Sequence, residues 1–374
     1  MNIDNLADVL KNCGSCNYCR DTCPMYIELQ SELDSPGGKL RALRAYATKM
    51  RNPPAELLQR LYCADCRRCE AICPAGVPVT DIWHNAKTQL LKTGAPMAES
   101  LQKVLEWIAQ EGTPFVGYEQ EDRTIWAEDL ELPPESNTAI FSGCMGSFWY
   151  PDQPETVVDL LQKLKVNAGY VPSEVCCGLF NYWAGDDKGF EEVVKKNYAM
   201  FKKAGVDHIV TACGGCYGTL AEHYPHIIPD FDIDILHTVE VLADQVRNGV
   251  LTFDGLEGTY TFHDSCHLGR ALGIYEAPRE IIRAIPGLEF VELKNNRDKS
   301  NCCGGFLSVL DPELAESVGR RRVAEAEELG VDGIITTCVS CYKNLSYNAR
   351  ETNLEVIQLD ELILDKAQAS QVEE

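Results

Sequence analysis

The sequence predicts an α/β protein in which a mostly helical N-terminal module precedes two copies of one α/β unit. Two observations lead to this fold class. Beyond residue 137, short apolar runs alternate with amphipathic helical patterns, which is typical of parallel sheets covered by helices. Residues 258–365 also repeat the cysteine pattern of residues 138–250 at a nearly constant offset, which indicates an internal duplication.

The domain organisation follows from these patterns and from proline-rich breaks. The Pro-Pro pair at 133–134 is typical of a domain boundary. We therefore expect a helical module at 1–95, a helical linker at 96–137, α/β units at 138–250 and 258–365, and an acidic tail at 366–374.

The N-terminal module is predicted to be mostly helical because its apolar residues recur at helical spacing. Such spacing predicts one helix around 40–47 and a second, short one around 57–61. The Asn-Pro-Pro stretch at 52–54 separates them as a breaker.

Each α/β unit contains matching strand, helix and cysteine signals. The runs at 209–210 and 334–337 predict strands, and the apolar spacing over 157–164 predicts an amphipathic helix. The cysteines follow the predicted strands directly, where α/β folds place their functional sites.

Composition and charge restrict the possible functions of this 374-residue chain. A net charge of −23 argues against nucleic-acid binding, which depends on Lys and Arg contacts to phosphate. No apolar run is long enough for a membrane span, and the first residues lack the features of a signal peptide. We expect a cytoplasmic protein that associates with a membrane only through a partner.

The first eight cysteines form two groups with the spacing C-x2-C-x2-C-x3-C-P. This spacing is typical of bacterial ferredoxins, in which each group serves a cubane [4Fe–4S] cluster and its fourth cysteine serves the neighbouring cluster. Structural zinc is the alternative, although it usually takes separated pairs of ligands. The expected ligand sets are Cys13, Cys16, Cys19 and Cys73 for one cluster, and Cys63, Cys66, Cys69 and Cys23 for the other.

The other ten cysteines form two sets of five, one in each α/β unit, and both contain a Cys-Cys-Gly element. Five thiolates exceed the needs of a tetrahedral zinc site or a cubane, so a larger or irregular cluster is one interpretation. Zinc, disulfides and buried free thiols are the alternatives. The first set is Cys144, Cys176, Cys177, Cys213 and Cys216, and the second set is Cys266, Cys302, Cys303, Cys338 and Cys341.

Polar residues near Cys266 are further candidates. His267 is a candidate proton donor, or else a residue that holds the Cys266 loop through hydrogen bonds. Arg270 belongs to a basic group that either receives an anionic substrate or forms a solvated loop. The other members of that group are Lys294, Arg297 and Lys299.

The chain contains no G-x-G-x-x-G motif after a strand and no phosphate-binding P-loop motif. We therefore expect neither flavin nor nicotinamide in this chain. Electrons then have to be exchanged with a partner subunit.

These motifs together resemble a known family. Residues 140–341 resemble two copies of the CCG domain, and residues 13–74 resemble the helical ferredoxin-like two-cluster module that accompanies it. The order resembles the catalytic subunit of heterodisulfide reductase, in the form in which the cluster-carrying and catalytic parts are fused. The resemblance implies a non-cubane [4Fe–4S] cluster in each five-cysteine set. It also implies cleavage of a small disulfide between the two, with each cluster taking one thiolate sulfur.

A neighbouring branch of the same superfamily gives the alternative function. Iron–sulfur subunits of flavin-dependent 2-hydroxyacid and glycerol-3-phosphate dehydrogenases share this architecture, often with a degenerate CCG motif, and relay electrons. This chain keeps all ten CCG cysteines, which favours disulfide reduction. The electrons would then come from a partner, either a flavoprotein or a membrane cytochrome. A zinc-bound scaffold is the third hypothesis.

Overall fold

The computed structural model describes residues 9–48, 56–132 and 136–369. The predicted breaker at 52–54, the Pro-Pro pair at 133–134 and the last residues of the acidic tail lie outside the described residues. Within the described ranges, no helix has the length and apolar character needed to cross a bilayer.

The N-terminal part consists of helices joined by cysteine-bearing loops. These helices are α1 (Pro24–Leu29), α2 (Pro36–Ala47), α3 (Leu57–Leu61), α4 (Arg68–Ala71), α5 (Val79–Lys92) and α6 (Glu99–Glu111), followed by a 3-10 helix at Gln120–Ala127.

Local sequence explains where helix α2 begins. The Ser35 hydroxyl accepts a hydrogen bond from the Gly38 amide at 2.9 Å, and Pro36 occupies the first helical position. Leu40 and Leu43 are buried, as their spacing predicts. Helices α2 and α3 therefore match the two helices expected in this part of the chain.

The first repeat contains a four-stranded parallel sheet with the order β2-β1-β3-β4. Its strands are β1 (Thr138–Ile140), β2 (Gly169–Tyr170), β3 (His208–Thr211) and β4 (Asp234–His237). Its helices are α7 (Gly143–Phe148), α8 (Asp152–Lys163), α9 (Leu179–Ala184), α10 (Asp187–Lys203), α11 (Gly214–Gly218), α12 (Tyr224–Ile227) and α13 (Thr238–Arg247), with a π-helical turn at Thr219–His223.

The second repeat contains another parallel sheet, β7-β6-β8-β9, whose order matches that of the first. Its strands are β6 (Gly258–His263), β7 (Leu288–Phe290), β8 (Gly333–Thr336) and β9 (Glu355–Gln358). Its helices are α14 (Gly269–Leu272), α15 (Glu276–Ala284), α16 (Pro312–Glu327), α17 (Val339–Ala349) and α18 (Leu359–Lys366), with 3-10 turns at Arg297–Lys299 and Gly305–Val309. Strands β5 (Leu251–Phe253) and β10 (Ala367–Ala369) pair antiparallel between the inter-repeat connection and the C-terminal segment.

The two sheets confirm the predicted parallel α/β repeats. Ile209 and Val210 lie buried in β3, and Ile334 and Ile335 lie buried in β8. The segment at 96–132 packs against the first repeat. Helix α6 contributes Val104 and Ile108 to the core that contains the first five cysteines.

Candidate metal centres

The ten cysteines of the two repeats line a single cavity of about 390 Å³. Four of them follow strands closely, because the loops after β1, β3, β6 and β8 all open at the carboxyl ends of parallel strands. Nine of the ten are buried, and Cys266 is partly exposed. The structure therefore brings both five-cysteine sets to one place.

The glycine of each Cys-Cys-Gly element is required by the backbone turn. Gly178 and Gly304 have φ angles of +90° and +82°, which L side chains rarely adopt. A Cβ on Gly304 would lie 2.5 Å from the Ala315 carbonyl oxygen, and one on Gly178 would lie 2.9 Å from the Phe190 ring. These glycines thus permit close packing of protein behind the cysteines, as well as the turn itself.

Within the second set, the thiols are close enough to influence one another. The sulfur atoms of Cys303 and Cys341 are 3.2 Å apart. Hydrogen bonds from Cys302 and Cys341 lower the pKa of Cys303 to about 5 despite its burial. The same interaction with Cys303, together with burial, raises the pKa of Cys302 well above its usual value.

These donor sets fit a thiolate-bound metal cluster. None of the eighteen cysteines, all of which lie in described residues, forms a disulfide. Ten free thiols around one cavity supply the donor atoms that such clusters need, since soft thiolate sulfur is the preferred ligand of iron–sulfur clusters.

A buried arginine lies beside the first set. Arg123, fully buried on the 3-10 helix, has Nη2 at 3.6 Å from the Cys144 sulfur. Its Nη1 donates to Glu174 at 3.3 Å, and Glu174 also accepts from the Ser142 hydroxyl at 2.8 Å and the Gly143 amide at 3.1 Å. Sequence reasoning missed Arg123 because it lies in a polar stretch far along the chain from these cysteines.

A histidine lies beside the second set. His267 Nδ1 is 3.6 Å from the Cys266 sulfur, and its Nε2 is 4.0 Å from an Asp65 carboxylate oxygen. Burial lowers the pKa of His267, but the charge and hydrogen bond of Cys266 act together with the charges of Asp65 and Cys338 and raise it to about 9. The His267 ring thus contacts the cysteine directly and also lines the shared cavity.

A second histidine, His263, lies within 4.8 Å of the Cys303 and Cys341 sulfurs. The Arg322 guanidinium donates to its Nδ1 at 3.1 Å, so Nε2 carries the proton in the neutral ring. Burial, followed by the charge of Arg322, lowers the His263 pKa to about 3. His263 is therefore a neutral neighbour of the second set.

The two arginines of the predicted basic group are engaged within the protein, whereas Lys294 and Lys299 are exposed. Arg270 Nη1 donates to the Ser300 carbonyl at 2.8 Å, and its Nε donates to the Cys66 carbonyl. Arg297 forms ion pairs with Glu276 at 2.7 Å and Glu292 at 3.2 Å. Arg270 thus joins the second repeat to the N-terminal helices.

The N-terminal cysteines fall into two neighbourhoods. A small cavity of about 30 Å³ is lined by Cys23, Cys63, Cys66 and Cys69, together with the buried Lys39. Burial and the charges of Cys13, Cys23 and Cys73 raise the pKa of Cys19 to about 11, so these thiols are neighbours. Cys16 is exposed.

Comparisons with known proteins agree with these neighbourhoods. The family model described as the CCG cysteine-rich domain matches residues 138–221 and again 260–346. The model described as the 4Fe-4S dicluster domain matches residues 9–77. The chain is 27% identical to one subunit of the dihydromethanophenazine:CoB–CoM heterodisulfide reductase of Methanosarcina acetivorans, over 96% of this chain and 94% of that protein. The chain contains two CCG cysteine-rich domains and a 4Fe-4S dicluster domain.

Other relatives of this CCG-domain protein are named for different functions. One subunit of the CoM/CoB fumarate reductase of Methanothermobacter marburgensis is 27% identical over 92% of this chain and 69% of that protein. The probable glycolate oxidase iron–sulfur subunit of Bacillus subtilis is 24% identical over 96% of this chain and 94% of that protein. The relatives support an iron–sulfur oxidoreductase subunit related to heterodisulfide reductase.

A solved structure shares the fold. A hypothetical protein from Helicobacter pylori superposes with a TM-score of 0.56 at 13% identity, covering 88% of this chain and 67% of that one. At this identity, the likeness concerns the fold alone.

Proposed function

We propose that this chain is the disulfide-reducing subunit of an iron–sulfur oxidoreductase. The reaction is R–S–S–R′ + 2 e⁻ + 2 H⁺ → RSH + R′SH, with the electrons supplied by a reduced partner protein. The observation that carries the proposal is the single cavity lined by all ten repeat cysteines. Cleavage of a disulfide releases two sulfur atoms, and the cavity provides one cysteine set for each of them.

The proposed cluster ligands are the cysteine sets that the sequence predicts. We propose that residues 1–95 form a helical ferredoxin-like domain with two cubane [4Fe–4S] clusters, and that the repeats hold two non-cubane clusters. Bound clusters supply single electrons and Lewis-acid iron. The small cavity shared by Cys23, Cys63, Cys66 and Cys69 supports one of the two cubane assignments.

His267 is the proposed proton donor for one product thiol. It lines the cavity and contacts Cys266, which orients its ring towards the cysteine sets. An Asp65 carboxylate oxygen lies 4.0 Å from the other ring nitrogen, and its charge favours the protonated ring. The apolar walls formed by Leu179, Phe180 and Phe306 reduce water access to the cavity.

The electron source is proposed to be a partner subunit, either a flavoprotein or a membrane cytochrome. The names of the relatives support this, since each is a subunit of a larger enzyme. The chain has neither flavin nor nicotinamide motifs in its sequence.

The test is a disulfide-reduction assay on anaerobically purified protein with a reduced viologen dye as electron donor. We expect dye oxidation coupled to release of two thiols for each disulfide consumed. Full iron and acid-labile sulfide content without turnover of any disulfide would reject the proposal.

The likeness to the probable glycolate oxidase iron–sulfur subunit supports a second candidate, an electron-relay subunit with catalysis on a flavoprotein partner. The relay function predicts that purified protein exchanges electrons with the dye and reduces no disulfide. Thiol release by the chain alone therefore separates the two candidates.

A further inference from the structure

The two cysteine groups of the N-terminal part lie in different environments. The inner group is Cys23, Cys63, Cys66 and Cys69, which line the small cavity, and the outer group is Cys13, Cys16, Cys19 and Cys73. Cys23 and Cys66 of the inner group are buried and pack in one apolar cluster with Cys302 of the second repeat. Cys16 of the outer group is exposed. Water therefore reaches the outer group, whereas the inner group lies against the second repeat.

Burial alone makes the inner group a poor site for an added electron. Reduction of a [4Fe–4S] cluster adds one negative charge, and low-dielectric surroundings disfavour additional charge. A cation held nearby offsets this cost, because charges interact more strongly where water is excluded. The inner group therefore needs a buried positive charge if it is to accept electrons more readily than the exposed outer group.

Lys39 provides such a charge. It lies on α2, retains only 2% of its exposure and lines the same small cavity as the inner cysteines. Among the described residues, no Asp or Glu forms an ion pair with Lys39, and Asp34, just before α2, pairs with Arg60 at 2.9 Å instead. Burial raises the pKa of Cys23 to about 12, and the charge of Lys39 opposes that rise. The ammonium charge of Lys39 thus acts on the inner cysteines.

The other charged residues around the small cavity leave its surroundings positive. Arg67 pairs with Glu222 at 2.9 Å, so its charge is balanced. The carboxylate of Asp65 lies 4.0 Å from the His267 ring, on which it acts as a counter-charge. Arg68 remains a cation and donates a hydrogen bond to an amide oxygen of the second repeat at 2.9 Å. This positive balance contrasts with the net charge of −23 of the whole chain.

A second buried lysine lies close to Cys63. Lys87 on α5 donates to the Trp183 carbonyl, and its Nζ lies 5.5 Å from the centre of the Tyr62 ring. The Trp183 indole in turn donates to the Cys63 carbonyl at 3.1 Å. Burial lowers the pKa of Lys87 to about 8, and the charges of Asp65 and Cys63 oppose that change. The ammonium form of Lys87 therefore dominates at pH 7.

We propose that Lys39 and Lys87 raise the reduction potential of the cluster held by the inner group above that of the cluster held by the outer group. This inference rests on the two cubane clusters of the proposed function and names two positioning residues that act through them. The added electron comes from the reduced partner, and the two ammonium charges stabilise it on the inner group. It is then held on the side of the N-terminal part that packs against Cys302.

The test is a potentiometric titration of the complete, anaerobically purified chain at pH 7, followed by electron paramagnetic resonance. Cys16→Ala identifies the signals, because it changes only the outer group. In wild type, we expect the inner cluster to be reduced at the higher potential. In Lys39→Met, the ratio of reduced to oxidised inner cluster at a fixed potential should fall about tenfold, which equals a midpoint about 59 mV lower for a one-electron couple.

The other variants separate the charge from the shape of the side chains. Lys87→Met should lower the same ratio about threefold, and Lys39→Arg, which keeps the charge, should retain most of it. Lys92→Met is the matched control, because Lys92 is exposed on the same helix as Lys87 and lies outside the small cavity. Its ratio should equal that of wild type, since water and salt screen an exposed charge.

An unchanged inner midpoint in Lys39→Met and Lys87→Met, at full iron content, would overturn the inference. An equal shift of both clusters in Lys39→Met, or a wild-type inner midpoint below the outer one, would overturn it as well. If Lys39→Met loses its inner cluster, the shift in Lys87→Met decides.

The titration needs no disulfide, so it separates this inference from the proposed function. If no disulfide is reduced but Lys39→Met shifts the inner midpoint, disulfide reduction fails and the role of the lysines stands. If disulfides are reduced and neither variant shifts the inner midpoint, the role of the lysines fails and disulfide reduction stands. Absence of cubane clusters from the N-terminal part would overturn both.

Discussion

The two cysteine sets share a sheet order and a spacing, yet their neighbours differ. Beside the first set lies Arg123, a permanent cation paired with Glu174. Beside the second set lies His267, whose ring can give up a proton. The Cys302 thiol of this set also approaches Cys66 of the N-terminal part closely enough to raise the pKa of Cys66.

This difference shows that the two repeats have kept the positions of their cysteines while the residues around those cysteines have diverged. The first set has a fixed charge in a water-excluded pocket. The second has a titratable group and direct contact with the N-terminal cysteines. The two sets thus match in their cysteine spacing and differ in their environments. The following predictions test whether they act as equivalent ligands and whether the differences matter.

The largest effect is expected from breaking the equivalence of the ligands. Cys177→Ser and Cys303→Ser change matching positions of the two Cys-Cys-Gly elements. If both sets serve one site, each change should lower disulfide reduction at least ~100-fold, because loss of either electrophilic centre removes its share of the reaction. Turnover and iron content per chain measure this. Substantial activity in either variant would show that one set is dispensable.

The buried cations provide the next comparison, this time in stability. Arg123→Met leaves Glu174 without its partner, and Arg279→Met leaves Asp264, which Arg279 contacts at 2.7 and 2.9 Å. Each change should lower the free energy of unfolding by about 3–5 kcal/mol, because an unpaired charge remains buried. Anaerobic urea unfolding measures the loss.

The double variant Arg123→Met with Glu174→Gln is the control for this interpretation. It removes the buried charge as well as the cation and should recover part of the lost stability. A double variant less stable than Arg123→Met would contradict the charge argument.

A smaller effect on rate is expected at His267. His267→Gln keeps the size and hydrogen bonding of the side chain but cannot donate a proton as an acid, so kcat should fall about 100-fold with iron content unchanged. His226→Gln, at an exposed position on α12, serves as the control. An unchanged kcat in His267→Gln would leave this histidine as a residue that only holds the Cys266 loop.

The smallest effect concerns Asp360, which stands where the first repeat has Val239. Both are buried, and burial raises the pKa of Asp360 to about 7. As pH rises from about 4 to 7, the unfolded chain ionises this carboxyl before the folded chain does, so stability is lost.

Asp360→Asn removes that loss. The variant should melt about 2–4 °C above wild type at pH 8, and the gain should shrink towards pH 4. A gain that is equal at both pH values would show that ionisation of Asp360 is not its cause.

Much of the architecture could be predicted from local sequence, because the spacing of apolar residues and of cysteines within short segments indicates it. The matching cysteine offsets predict the duplication, and the apolar runs around Ile209 and Ile334 predict parallel strands that the structure contains.

The environment of the site could not be predicted in this way, since it arises from residues distant in sequence. Arg123 reaches Cys144 from a stretch that reads as a polar linker. Lys343 meets Trp149 only because the two repeats pack together. The sequence predicts Arg270 in a basic group that either receives an anionic substrate or forms a solvated loop, but tertiary packing directs its side chain to backbone carbonyls.

The central claim is that two matching cysteine sets build one disulfide-reducing site. Its most direct test is the structure of anaerobically purified protein together with the spectrum of its bound iron. We predict four [4Fe–4S] clusters per chain, with two non-cubane clusters facing each other across the cavity of about 390 Å³. An ordinary cubane cluster, zinc, or an empty cysteine set in either repeat would contradict the claim.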